Sequence, residues 1–211
     1  MPGGEDAKAV ATAVRPLGGG SCGSTLRTVQ AAATRRARTP VLLYLDQNYL
    51  SGIAKRKPAF RELEPVLREA VEAGAVRVPE SEVHRIESAA RPDLGLLDLL
   101  RELSGGLRLP EDDQAPAVRR CARALRALLE RDYPHRRPLA SDDLDLVALS
   151  RALPRCDLVT CDAFMAELVR RARLDSWCGC ELFTGRRPDV DRLRRRLVHK
   201  TGRFARGFRV T

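Results

Sequence analysis

Short apolar runs alternate with amphipathic stretches through the middle of this 211-residue chain. The run Val-Leu-Leu-Tyr-Leu at 41–45 predicts a strand that is buried on both faces. Residues 75–79, 157–160 and 181–184 predict three more strands. Apolar residues spaced by three and four predict the helices between them, which begin near Pro58, Glu80, Pro92, 117, Ser141 and Asp162. Strands that alternate with helices predict an α/β fold with a parallel sheet.

The two ends of the chain differ from its middle. Residues 1–40 mix Gly, Ala, Ser, Thr and Arg without a sustained period, which predicts a disordered or low-complexity segment. Residues 185–211 carry ten Lys or Arg against two acids, so we expect a basic C-terminal helix and tail. The folded domain is therefore predicted over residues 41–184.

Charge and cysteine content narrow the class of protein. The formal net charge is +10, but residues 41–184 net to −2, so the basicity lies at the ends. Basic ends suit a polyanionic partner and suit solvated tails equally well. The first residues do not predict a signal peptide, and no apolar run of membrane-spanning length occurs. The six cysteines show no zinc spacing or disulfide framework. A cytoplasmic protein without a membrane span is expected.

Acidic residues recur where the predicted strands end. Asp46 follows the first strand and Asp162 lies two residues after Thr160 in the third. Glu87 and Asp145 fall in early turns of predicted helices. One such aspartate is commonly just a helix N-cap. Four acids at equivalent points predict a cleft of mutually repelling carboxylates, whose hard oxygen ligands suit Mg²⁺ or Mn²⁺ and phosphate chemistry.

Three segments resemble the motifs of the PIN-like domain superfamily. They are Tyr44-Leu45-Asp46-Gln47-Asn48, the run from Pro79 to Glu87, and residues 145–162, which close on Thr160-Cys161-Asp162. The resemblance spans about residues 41–184 and implies a three-layer α/β/α fold with a parallel sheet of four or five strands. It also implies an Mg²⁺- or Mn²⁺-dependent ribonuclease, with a toxin role in many relatives. Residues 92–140 are longer and more helical than a minimal PIN-like domain needs, which marks a helical insert.

Carried over residue by residue, the resemblance assigns a site. It makes Asp46, Asp145 and Asp162 the metal ligands, with Glu87 as the fourth catalytic acid that holds or deprotonates water. Asn48 and Thr160 would support them, and Ser81 and His84 would orient Glu87 or substrate. Glu82 competes with Glu87, and Asp142 competes with Asp145, which fits the spacing to Asp162 better.

The implied partners follow from the same resemblance and from the basic C-terminus. Single-stranded RNA is the expected substrate, and an antitoxin-like protein and a homodimer are further expectations. The predicted RNA-binding residues are Arg194, Arg195, Arg196, Lys200, Arg203 and Arg206. Two alternative functions stay open. One is a catalytically weak PIN-like binding or scaffold module, and the other is a redox or metal-cluster protein that uses Cys156, Cys161, Cys178 and Cys180.

Overall fold

The computed structural model describes residues 39–137 and 139–208, with side chains described up to residue 202 except that of Ala140. A four-stranded, all-parallel sheet lies at the centre. Its strands are β1 (Val41–Tyr44), β2 (Val76–Arg77), β3 (Leu158–Cys161) and β4 (Glu181–Thr184). The α/β class and the parallel sheet are therefore as predicted. Almost all of the predicted low-complexity segment, residues 1–40, lies outside the described residues.

The strand order is β2-β1-β3-β4, so β1 pairs with a neighbour on each side. Leu43 aligns with Leu158 of β3, and Val41 aligns with Val76 of β2. The chain moves from β1 to one side, then returns to the other side to form β3. In such a sheet a crevice opens beyond the carboxyl ends of the two strands where the order reverses, which here are β1 and β3.

Ten α-helices surround this sheet within the described residues, and a 3₁₀ helix spans Pro92–Leu94. The α-helices are α1 (Gln47–Ala54), α2 (Pro58–Arg61), α3 (Leu63–Glu72), α4 (Glu82–Ala89), α5 (Leu96–Ser104), α6 (Pro116–Asp132), α7 (Ala140–Ala152), α8 (Ala163–Arg171), α9 (Leu174–Cys178) and α10 (Arg187–Phe208). Proline at the first helical position starts α2 and α6, and Gly105, at φ +55°, ends α5. None of the described helices has the length and apolar character of a membrane span.

Alternate residues of β1, β3 and β4 enter two separate cores, one on each face of the sheet. Leu43 and Leu158 belong to the first core, and their neighbours Tyr44 and Val159 belong to the second. Helices α1, α2, α3, α5 and α10 cover the first face. Helices α6, α7 and α8 cover the second. Helices on both faces of a parallel sheet are consistent with the expected three-layer arrangement.

The helices outside the minimal domain are part of the same fold. Val190, Leu193 and Leu197 of α10 are at most 1% exposed and belong to the first core. The fold therefore does not stop at residue 184, because the basic helix covers the sheet with its apolar stripe. The same holds for the predicted insert at 92–140, since Leu100 and Leu125 are buried in the first and second cores respectively.

One helix start is corrected and one helix is new. Ser141 was the predicted N-cap of α7, but that helix begins at Ala140 after Leu139. The reason is Asp142, whose carboxylate accepts a hydrogen bond from the Leu139 N–H at 2.8 Å and so closes the turn two residues earlier. Helix α1 had no predicted counterpart, and Asp46 caps its first turn.

Candidate active site

Asp46 and Asp162 occupy equivalent positions at the ends of adjacent parallel strands. Both have the extended conformation of an N-cap residue, with φ, ψ of −76°, 169° and −69°, 171°. Oδ1 of Asp46 accepts the Tyr49 N–H at 3.1 Å, and Oδ1 of Asp162 accepts the Met165 N–H at 2.7 Å. Both aspartates are thus N-caps. Each cap bond uses one carboxylate oxygen and leaves the other for a second partner.

Thr160 and Asn48 hold Asp46 in place. The buried Thr160 hydroxyl accepts the Asp46 N–H at 2.7 Å, which joins the end of β3 to the end of β1. The Asn48 side-chain amide donates to Oδ2 of Asp46 at 3.3 Å. Both predicted supporting residues therefore contact the same aspartate. The Thr160 bond fixes the backbone of Asp46, and the Asn48 bond restrains its carboxylate directly.

Ser81 and His84 form a capping box at the start of α4. The Ser81 hydroxyl accepts the His84 N–H, and Nδ1 of His84 accepts the Ser81 N–H at 3.0 Å. Because Nδ1 accepts, the proton lies on Nε2, which donates to the Leu45 carbonyl at 2.6 Å. Burial lowers the His84 pKa to about 4, so the ring is neutral at neutral pH. His84 therefore ties the helix that carries Glu87 to the residue just before Asp46.

The four predicted acids lie within one electrostatic cluster. Burial and then the charge of Asp46 raise the pKa of Glu87 to about 7. Burial and the charges of Glu87, Asp162 and Asp46 raise the pKa of Asp145 to about 7. Burial and, less strongly, the charge of Asp162 raise the pKa of Asp46 to about 6. Acids from four separate segments thus interact electrostatically near the carboxyl ends of β1 and β3. Groups with pKa values shifted in this way concentrate at functional sites.

The two competing acids, Glu82 and Asp142, each form an ion pair with an arginine. Glu82 is exposed and forms an ion pair with Arg151, with 3.7 Å between Oε2 and Nη1. Asp142 is buried and paired through both oxygens with Arg136, while it also accepts the Leu139 N–H. The arrangement therefore favours Glu87 over Glu82 as a member of the cluster. Asp142 raises the pKa of Asp145 from beside the cluster, with its own charge balanced by Arg136.

Arg136 is a site residue that the sequence did not reveal. Its guanidinium stacks over the Phe164 ring, with 4.1 Å from Cζ to the ring centroid. Asp142, Asp162 and Asp145 all raise its pKa. No local motif marks it, because arginine is the commonest charged residue of this chain and its neighbours are contributed by other helices. A fixed guanidinium beside carboxylates gives the crevice one positive group that suits a phosphate.

Whether these acids can hold a metal ion depends on how many protein ligands the ion needs. Within the described residues, no three His, Cys, Asp or Glu side chains stand close enough together to hold one ion. Mg²⁺, however, commonly keeps several waters and binds through one or two carboxylates plus a substrate phosphate. The second oxygens of the two capping aspartates match that donor chemistry. The residues therefore suit a hydrated, partly substrate-bound ion and not a closed protein cage.

Two of the predicted RNA-binding residues, Arg196 and Lys200, lie away from this crevice. Arg196 and Lys200 line a cavity of about 340 Å³ with Val41, Leu158 and Glu181, which start three of the strands. That cavity is at the amino ends of the strands, opposite the acids. Arg194 and Arg196 pair with Glu62 and Glu181, Arg195 is exposed, and the side chains of Arg203 and Arg206 lie outside the described residues. Arg196 and Lys200 are thus separated from the acidic cluster by the length of the sheet.

The cysteines act mainly as core residues. Cys156 and Cys161 are buried, and burial raises the pKa of Cys156 to about 12, so it is not a reactive thiolate. Sγ of Cys121 lies 3.8 Å from Sγ of Cys178, and both are free thiols. No metal-holding set of cysteines occurs among the residues that the structure describes. The metal-cluster alternative therefore has no support from this arrangement.

Comparisons with known proteins add no relatives to this picture: no family model matches the chain, and no curated protein or solved structure is significantly similar to it.

Proposed function

We propose that this chain is a metal-dependent endoribonuclease of PIN-like type that hydrolyses RNA phosphodiester bonds at the Asp46 crevice. The supporting observation is the convergence of four acids from four chain segments where the strand order reverses. Carboxylates that raise one another's pKa values without enough cationic partners are arranged for a cation or for proton transfer. Both needs arise in phosphodiester hydrolysis.

Each acid has a distinct task in this proposal. Asp46 and Asp162 are fixed by their cap bonds, so their second oxygens give a rigid edge for Mg²⁺ or Mn²⁺. When bound, such an ion lowers the pKa of water and neutralises charge on the phosphoryl group. Glu87, with a pKa of about 7, can take a proton from the attacking water at neutral pH through its carboxylate. Arg136 stands where its remaining N–H groups can donate to a phosphate oxygen.

A second candidate is a PIN-like module that binds nucleic acid or a partner with little or no catalysis. The observation in its favour is the lack of three ligands close enough to hold one ion among the described residues. A protein of this kind would retain the fold and the paired caps without turnover. Activity measurements with a matched set of variants distinguish the two.

The test is cleavage of end-labelled single-stranded RNA by wild type, Asp46→Asn, Glu87→Gln and the control Glu82→Gln. Asparagine still caps a helix, so Asp46→Asn removes the charge and retains the fold. Glu82 lies on the same helix as Glu87 but is exposed and paired with Arg151. We expect cleavage with Mg²⁺ or Mn²⁺ that EDTA abolishes and that Asp46→Asn and Glu87→Gln each reduce by roughly 10²-fold or more.

Glu82→Gln should leave the rate unchanged. Equal losses in the Glu82→Gln and Glu87→Gln variants would show that the crevice is assigned to the wrong acids. A folded wild type with bound metal that cleaves none of a set of unstructured RNAs would refute the nuclease and favour the binding module.

A further inference from the structure

A second concave site lies beside the crevice. A cavity of about 560 Å³ opens between the end of α6 and the start of α7. Its volume is in the range of pockets that bind small molecules or a single nucleotide. Among the residues that line it are Arg126, Glu130, Tyr133, Arg136, Leu139 and Asp143.

The cavity and the acidic crevice share a wall. Arg136 and Asp142 line the cavity, and both interact electrostatically with Asp145 of the crevice. The Arg136 guanidinium also stacks on Phe164, two residues after Asp162. A ligand in the cavity would therefore be adjacent to whatever occupies the crevice, with Arg136 between them.

The lining combines apolar surface with side chains that have no partner. Leu139 is 57% exposed, and the ring of Tyr133 is partly exposed where it contacts Phe164 edge to face at 5.2 Å. Arg126, Glu130 and Asp143 are exposed. The side chains of these three make no hydrogen bond or ion pair with any residue that the structure describes. Apolar surface beside unpaired donors and acceptors is what a flat, polar-edged ligand requires.

We propose that this cavity binds one base of the RNA, with guanine preferred, and so sets which phosphodiester bond reaches the crevice. This inference rests on the proposed ribonuclease function. Single-stranded RNA is read by unstacked bases that lie on aromatic or guanidinium surfaces and bond through their edges. Guanine offers N1–H and N2–H to one carboxylate, here Asp143, while its O6 and N7 accept from an arginine, here Arg126.

The other bases match the lining less well. Uracil offers one N–H between two carbonyl groups, so it cannot donate twice to a carboxylate. Adenine and cytosine each have an amino donor but no adjacent ring N–H. The position of the cavity next to the crevice also fits RNA, because a base and its own phosphate are neighbours along the strand.

The first test measures binding without cleavage. Guanosine 5′-monophosphate and uridine 5′-monophosphate are titrated calorimetrically into the full chain in EDTA, with Arg126→Ala, Asp143→Asn and the control Arg123→Ala. Arg123 is exposed one turn earlier on α6 and outside the cavity. We expect guanosine monophosphate to bind about tenfold or more tightly than uridine monophosphate. Arg126→Ala and Asp143→Asn should each remove about tenfold, and Arg123→Ala should have no effect.

The second test maps cleavage positions on an RNA that contains isolated guanosines. We expect wild type to cut next to guanosine and Arg126→Ala to lose that preference, with KM raised and kcat retained. Guanosine binding that Arg126→Ala weakens, without any cleavage, would support the base site and refute the ribonuclease. Cleavage without base preference that Arg126→Ala leaves unchanged would overturn the base site and leave the ribonuclease standing. Equal weak binding of both nucleotides by all variants would also overturn the base site.

Discussion

Replacing Asp145 by asparagine should stabilise the metal-free protein at the expense of its function. The folded state raises the pKa of Asp145 from 3.8 to about 7, mainly through burial. A raised folded-state pKa means that stability is present below pH 3.8 and lost as pH rises through 7. The full shift corresponds to about 4 kcal/mol, at roughly 1.4 kcal/mol per pKa unit. Because Asp145 is partly exposed, solvent screening reduces this to about 1–2 kcal/mol.

The assay is urea unfolding of wild type and Asp145→Asn in EDTA, at about pH 8 and about pH 4.5. Asparagine resembles the protonated carboxyl, so the variant should gain about 1–2 kcal/mol in free energy of unfolding at the higher pH and clearly less at the lower. Groups that do not interact with Asp145 cancel in this difference, whereas the coupled acids Glu87, Asp46 and Asp162 add to the gain. The control Glu167→Gln, at an exposed position of α8, should change stability by less than about 0.5 kcal/mol.

The reasoning would be refuted if Asp145→Asn were no more stable than wild type at the higher pH. It would also be refuted by an equal gain at both pH values, since that gain could not come from a titrating carboxylate. Excess Mg²⁺ should raise the Tm of wild type and not that of Asp145→Asn, because ligand binding to the folded state alone stabilises it. Proteins commonly retain a functional site that destabilises the fold while its cation is absent.

Three further predictions concern the scaffold around the acids. His84, whose pKa falls from 6.5 to about 4 on folding through burial, should contribute a loss of about 3 kcal/mol of stability as pH falls from above 6.5 to 4, against the opposite contribution of the raised acids. His84→Gln should remove the histidine contribution in urea unfolding. Thr160→Val should cost about 1–3 kcal/mol because it leaves the Asp46 N–H without its acceptor, whereas Thr160→Ser should retain cleavage. Leu197→Ala in α10 should cost about 2–5 kcal/mol, against less than about 0.5 kcal/mol for the exposed Val198→Ala; equal costs would mean that α10 is not part of the core.

The sequence was informative where local rules decide the structure. Strand β1 could be predicted because five apolar residues in a row suit a strand buried on both faces, and Asp46 could be singled out as the acid that directly follows it. The choice of Glu87 over Glu82 also follows partly from the geometry of a single helix. Five residues place the two side chains about 140° apart around a helix, so only one can face the crevice.

Features that depend on how distant helices pack could not be predicted. Arg136 becomes a site residue only because α7 supplies Asp142 and α8 supplies Phe164 around it. The cavity next to it forms between two helix ends, and neither end has a motif of its own. The basic residues of α10 show the converse. Their charge was evident, but the helix runs back from β4 and carries Arg196 to the edge of the sheet away from the acids.

Capping and catalysis are compatible at Asp46 and Asp162, and the two roles can be separated by experiment. Each aspartate caps its helix with Oδ1, which fixes the carboxylate plane. Oδ2 of Asp46 also accepts from Asn48 and has a second lone pair for a cation. Asp162→Asn should keep the cap and unfold like wild type, whereas Asp162→Ala should lose about 1 kcal/mol. Both variants should lose RNA cleavage, because both lack the charge. If Asp162→Asn cleaves as fast as wild type while Asp162→Ala is destabilised, Asp162 is a structural cap alone, and the metal-binding edge must then be provided by Asp46 and Asp145.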